Sequence, residues 1–91
     1  WNGEQILPDY WTDFTAVPAS ASEGAYGAFF WLNRDDTYPG VPADMYCCRG
    51  HDGQFIYIIP SKELVVVRTG FSKSGEFDSK NFLKGIVEAI D

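Results

Sequence analysis

The sequence is poor in basic residues: its 91 residues include seven Lys and Arg against thirteen Asp and Glu, for a net charge of -6. Residues 1–48 contain a single base, Arg34, whereas residues 49–91 hold six acids and six bases. Nucleic-acid binding and polybasic membrane attachment both require clustered positive charge. We therefore predict no nucleic-acid partner and no basic membrane patch.

Long apolar runs are also missing. No stretch approaches the roughly 20 apolar residues that a membrane-spanning helix needs, so no membrane span is predicted. The chain opens on Trp1 rather than on Met. We therefore expect residues 1–91 to be a single fragment of a longer polypeptide.

Cysteine is scarce, and the only two, Cys47 and Cys48, are adjacent. Neighbouring side chains of a strand point to opposite faces, so a bond between these two would be strained. We expect two reduced thiols and no secreted disulfide framework. A metal site with His51 and Asp52 fits poorly, because at most one thiol could join them. No metal and no cofactor is predicted.

Apolar and aromatic side chains are abundant, at 45% and 16% of the residues. This composition excludes disorder for most of the chain and favours one small domain. The pattern predicts an α+β fold, in which an antiparallel sheet of three to four strands packs against a C-terminal helix. Residues 1–24 are expected to be loop with a short helix over residues 7–14, whose first turn would hold Pro8.

The strands are expected within residues 25–70, in segments rich in β-branched and aromatic side chains: residues 25–32, 45–49, 54–59 and 64–69. The short connection between the last two predicts an antiparallel hairpin. Both of these strands are apolar on both faces, which is typical of a sheet covered on two sides.

Residues 78–91 predict an amphipathic helix with one apolar face, formed by Phe82, Leu83, Ile86, Val87 and Ile90. Asp78 is a natural N-cap, and Phe77 and Phe82 are spaced for a hydrophobic staple. This helix can cover one face of the sheet. We expect the missing polypeptide, or self-association with a second copy, to cover the other face.

The candidate site is a turn that follows the second strand. It comprises Cys48, Arg49, Gly50 and His51, supported by the turn residues Asp52, Gly53 and Gln54. Glycine tolerates positive φ and lets another group approach the backbone closely. The turn is therefore either a backbone site whose N–H groups bind an oxyanion or an ordinary glycine-containing turn. No Ser or Thr of the chain has Lys three residues later, so the Ser-x-x-Lys nucleophile and base are absent.

Four segments follow one another in a recognisable order: residues 26–32, 39–44, 49–54 and 59–68. Together they resemble the C-terminal part of serine hydrolases of the penicillin-recognising fold. That group includes class C β-lactamases, related esterases and 6-aminohexanoate-dimer hydrolases. The pattern Gly-His-x-Gly-Gln, followed by a strand ending in Pro and a Val-rich strand, is most similar to the last of these. Residues 1–8 also fit, so the resemblance covers nearly the whole chain.

The resemblance implies a partial β-lactamase-like lobe, with the last three of five antiparallel strands and the final helix. It places the family's third motif, Lys-Thr-Gly in β-lactamases, on Cys48, Arg49 and Gly50, where only the glycine is kept. The loss of Lys argues for an esterase or amidase rather than a β-lactamase. By the same resemblance, the His51 N–H is one oxyanion donor.

The nucleophilic serine and its base would then lie in preceding polypeptide, and the substrate would be a small ester or amide. We expect this chain to be inactive alone. The alternative is a non-catalytic, aromatic-rich binding or interaction domain. Four aromatic residues could line such a surface, although core and interface packing is the favoured role for them: Tyr26, Phe29, Phe30 and Trp31.

Overall fold

Seven short elements make up the fold in a computed structural model that describes residues 2–34, 36–73 and 75–91. In chain order they are α1 (Trp11–Thr15), β1 (Trp31–Leu32), β2 (Tyr46–Gly50), β3 (Gln54–Ile59), a 3-10 turn (Pro60–Lys62), β4 (Leu64–Arg68) and α2 (Ser79–Ile90). The strands form one antiparallel sheet in the order β1-β2-β3-β4. The α+β prediction, with a four-stranded antiparallel sheet and a C-terminal helix, is confirmed.

The β3–β4 hairpin has the predicted strands and direction. Its register runs from Ile59 opposite Leu64 to Phe55 opposite Arg68. Pro60 ends β3 because proline has no N–H for the ladder, and it begins the 3-10 turn instead. Glu63 closes the turn with a left-handed backbone, at φ 50°.

Helix α2 begins as predicted. The Asp78 side chain accepts a hydrogen bond from the Asn81 N–H at 3.1 Å, and the Phe77 and Phe82 ring centroids lie 5.3 Å apart. The apolar side of the helix packs on one face of the sheet. The buried core there consists of Tyr38, Val41, Met45, Cys47, Tyr57, Ile59, Leu83 and Val87.

The predicted strand over residues 25–32 is wrong for most of its length, since only β1 is regular strand. The Gly27 N–H donates to the Phe30 carbonyl at 2.8 Å, which closes a tight turn. Phe29 lies at its tip with φ 74°, a conformation that bulky residues rarely adopt. An aromatic-rich run favours strand locally, and the turn interrupts it.

The predicted helix over residues 7–14 begins later, at Trp11. Pro8 does not start the helix; its carbonyl accepts from the Trp11 N–H at 3.0 Å in a preceding turn. In the described part of the chain, no helix is long and apolar enough to cross a membrane.

The sheet face opposite α2 is open at its β3–β4 end. Ile56, Val65 and Val67 are 40%, 61% and 62% exposed there. Helix α1 lies near the other end of the sheet, since an added Cβ on Gly27 would lie 2.1 Å from the Thr15 carbonyl oxygen. Among the described residues β4 pairs with β3 alone, so its outer edge is unpaired.

The Tyr57 hydroxyl is buried and has no hydrogen-bond partner among the residues that the structure describes. Burial and the neighbouring Tyr38 raise the pKa of Tyr57 strongly, while the nearby Ser79 hydroxyl opposes this weakly. We expect Tyr57→Phe to leave the free energy of unfolding unchanged or raise it by about 1 kcal/mol, because an unsatisfied polar group is removed.

The gain in Tyr57→Phe should grow above pH 10, where the unfolded wild-type chain ionises this tyrosine and the folded chain does not. Urea denaturation at pH 7 and at pH 10.5 measures both effects. Tyr38→Phe is the matched control, since the Tyr38 hydroxyl accepts from Arg49 Nη2 at 3.4 Å. A loss above about 1 kcal/mol at pH 7 in Tyr57→Phe would mean that its hydroxyl is satisfied.

Candidate functional site

The β2–β3 turn is built by two residues with left-handed backbones. Strands β2 and β3 pair as far as Gly50 opposite Gln54. Asp52 and Gly53 follow with φ 59° and 85°, the two positive angles that favour Asp-Gly in tight hairpins. A Cβ on Gly53 would lie 2.4 Å from Arg68 Nη1, so a larger residue there would also displace the Arg68 guanidinium. Gly50, expected in the turn, is the last residue of β2.

One edge of β2 is only half covered. β1 pairs with Tyr46 and Cys47, and the Asn33 N–H donates to the Met45 carbonyl at 3.2 Å. Backbone groups of alternate residues point to the same side of a strand. The Arg49 N–H and C=O therefore point to the β1 side, where no described segment pairs with them. His51 lies two residues further along the chain.

A cleft of about 270 Å³ lies beside the turn. Its walls are the turn itself and the segment before α2: Gly50, His51, Asp52, Gly53, Phe55, Ser72, Lys73, Gly75 and Phe77. The His51 side chain is 95% exposed, and its Nε2 lies 3.3 Å from Asp52 Oδ1. The turn is thus accessible and borders a cleft.

A second cleft, of about 290 Å³, opens on the uncovered face of the sheet, and Gly50 borders both. Cys48 lines this second cleft and is the cross-strand partner of Ile56. Cys47, the partner of Tyr57, is buried under α2. Both thiols are free and point to opposite faces, as predicted. Burial raises the pKa of the Cys47 thiol, although Arg49 acts in the opposite direction.

Arg49 is held against aromatic rings. Its guanidinium carbon lies 4.5 Å from the Trp31 ring centroid and 5.9 Å from that of Tyr38. Two of the other aromatic candidates also pack internally. Tyr26 contacts Trp31, and Phe30 contacts Tyr46, both edge-on. Of the four, Phe29 is the most exposed, at 78%, and Trp31 is 38% exposed.

Two side chains hold the turn: Gln54, which the sequence already placed in it, and Arg68, which sequence reasoning missed. Gln54 hydrogen-bonds the Gly70 backbone in both directions, donating from Nε2 and accepting at Oε1. Arg68 donates to the Gly53 carbonyl at 2.6 Å. Both contacts join residues at least 15 positions apart, and no local pattern signals them.

The site is poor in metal ligands: no three His, Cys, Asp or Glu side chains of the described chain come together as a metal-binding group. Comparison with known proteins gives no matching protein-family model, no matching curated protein and no matching solved structure.

Proposed function

We propose that this chain is the C-terminal segment of a serine hydrolase of the penicillin-recognising fold, an esterase or amidase that acts through an acyl-enzyme. The observation that carries the proposal is the edge of β2 at Arg49, which no described segment pairs with, together with His51 beside an open cleft. A main-chain N–H in that position is free to donate to a carbonyl oxygen. Such donors stabilise the negative charge that develops on the oxygen in acyl transfer.

Rigidity of the turn supports the same role, because an oxyanion donor must already be in place when the reaction occurs. All five residues of β2 pair with β3. Beyond them, the Asp52 carbonyl accepts from the Ser72 N–H at 2.9 Å. The turn is therefore tied to the sheet on one side and to the segment before α2 on the other.

Cys48 and Arg49 stand where the resemblance places Lys and Thr of the third motif. Cys48 faces the open side of the sheet, and the Arg49 guanidinium is stacked on Trp31. Neither supplies an ammonium group, which favours an ester or amide over a β-lactam. The nucleophile and base come from polypeptide outside this chain, so the chain is inactive alone.

The decisive variant is Gly50→Val. A Cβ at Gly50 would lie 2.9 Å from the Gln54 Cβ, and Gln54 is anchored to Gly70. The added side chain displaces the turn and the His51 N–H with it. In the protein expressed from its full reading frame, we expect kcat for p-nitrophenyl ester hydrolysis to fall by about ten-fold or more with little change in KM, since loss of a whole donor costs about 10²–10³.

The control is Gly85→Val, where an added Cβ meets nothing within 4 Å. It should leave kcat unchanged. Unaltered turnover in Gly50→Val would overturn the assignment of the turn, and ester hydrolysis by the 91-residue chain alone would contradict the expected upstream nucleophile.

Phe29 favours a second candidate function, a non-catalytic binding domain. This exposed ring stands at a turn tip on a left-handed backbone, and strained, exposed positions are common at binding sites. The reading frame upstream of Trp1 separates the two functions. An in-frame Ser-x-x-Lys motif supports the hydrolase, and a start codon directly before Trp1 supports the binding domain.

A further inference from the structure

We propose that Arg68 is a positioning residue that holds the β2–β3 turn, and with it the His51 N–H, in place for the reaction; this inference rests on the proposed function. Arg68 ends β4, opposite Phe55 of β3. Its Nη1 donates to the Gly53 carbonyl at 2.6 Å, and its Nη2 donates to Ser72 Oγ at 2.8 Å. One guanidinium thus joins the turn to the segment that forms the opposite wall of the cleft.

The guanidinium is itself positioned by aromatic packing. Its central carbon lies 4.0 Å from the Phe77 ring centroid. Phe77 packs in turn on Phe55 and on Phe82, with centroids 5.7 Å and 5.3 Å away. The guanidinium is planar and its N–H donors point in fixed directions, so stacking the group on a ring also fixes where those donors point. The positions of β3 and α2 therefore determine where the Gly53 carbonyl lies.

Two glycines make room for this group. A Cβ on Gly53 would lie 2.4 Å from Arg68 Nη1, and one on Gly70 would lie 2.8 Å from Arg68 Cζ. Without Arg68, the Gly53 carbonyl would lose its hydrogen-bond donor. Glycine is also the residue with the greatest backbone freedom. Gly53 is two positions from His51, so freedom there moves the His51 N–H directly.

The experiment compares Arg68→Met and Arg68→Lys in the protein expressed from its full reading frame. Methionine keeps the length and a sulfur–aromatic contact with Phe77 but donates no hydrogen bond. Lysine keeps the charge and a donor for Gly53 but lacks the fork. Arg34→Met is the matched control, because Arg34 is exposed and makes one 3.4 Å bond to the Ala16 carbonyl.

The first measurement does not depend on activity. We expect backbone ¹⁵N order parameters at residues 51–53 to be about 0.85 in the wild type and below about 0.6 in Arg68→Met. Arg68→Lys should lie between them, and Arg34→Met should match the wild type. The second measurement is ester hydrolysis. There Arg68→Met should lower kcat about ten-fold with KM nearly unchanged, and Arg68→Lys should recover part of the loss.

A rigid turn in Arg68→Met would overturn the inference. So would a loss confined to KM, or an equal loss in Arg34→Met. If the wild-type protein hydrolyses no ester, the proposed function fails, and the order parameters still decide whether Arg68 holds the turn. If Arg68→Met does not fold, the test is Arg68→Lys, and wild-type order parameters and kcat in that variant would overturn the inference.

Discussion

Replacing Asn33 by Leu is expected to lower the free energy of unfolding by about 2–6 kcal/mol. Asn33 is fully buried, and its Nδ2 donates to the carbonyls of Tyr38, Val41 and Pro42 at 3.3, 3.1 and 3.2 Å. Its Oδ1 accepts from the Tyr38 N–H at 2.7 Å. The Tyr38 and Pro42 carbonyls also accept from the Val41 and Met45 N–H groups, so the Val41 carbonyl and the Tyr38 N–H are the groups that lose their partner. Each buried polar group left without a partner costs about 1–3 kcal/mol.

Asn33→Asp is the matched variant, because it keeps the shape and the acceptor for the Tyr38 N–H. Its second oxygen then faces three carbonyls, which disfavours the charged form. The folded state should therefore retain a proton at pH values where the unfolded state, with a pKa of about 3.9, has lost it. The free energy of unfolding of Asn33→Asp should therefore fall as the pH rises above about 4.

Urea denaturation of wild type, Asn33→Leu and Asn33→Asp at pH 4 and at pH 7 tests both expectations. The loss of unfolding free energy relative to the wild type should be larger at pH 7 than at pH 4 for Asn33→Asp. For Asn33→Leu the loss should be the same at the two pH values. A cost below about 1 kcal/mol in Asn33→Leu would show that the three carbonyls do not depend on this amide.

Gly27→Ala is expected to destabilise the protein by about 3 kcal/mol, the upper end of the usual cost of overpacking. An added Cβ would lie 2.1 Å from the Thr15 carbonyl oxygen and 3.1 Å from that of Val17. Gly27 is buried, and both contacts are with backbone, which has no rotamer that relieves them. The segment that ends α1 must therefore move away from the turn at residues 27–30.

Gly85→Ala is the control for Gly27→Ala, and its effect on the free energy of unfolding should have the opposite sign. Gly85 lies within α2, and a Cβ there meets nothing within 4 Å. Alanine at an exposed helix position should stabilise the fold by about 0.5–1 kcal/mol. Thermal or urea unfolding of the two variants measures the contrast, and wild-type stability in Gly27→Ala would contradict the close packing of α1 against this turn.

The elements that could be predicted from the sequence are those specified by neighbouring residues. The β3 strand, the β3–β4 hairpin and the start of α2 each follow from a run of β-branched and aromatic residues, from Pro60 or from the Asp78 cap. Residues 25–32 show where local preference fails, since the aromatic run favours strand and β1 keeps only its last two residues. A turn at Phe29 and the fit of Gly27 against Thr15 involve contacts that strand propensity does not contain.

The sequence by itself determined the α+β class, the order of the last strands and helix, and the Asp52-Gly53 turn. Only the tertiary structure decided that no segment among the described residues pairs with the edge of β2 beside this turn. It also decided that Arg68, Gln54 and Phe77 hold the turn in place. The physical reason is distance along the chain. Strand propensity, caps and turn residues act over a few positions, whereas the contacts that hold the site join segments about 15 or more residues apart.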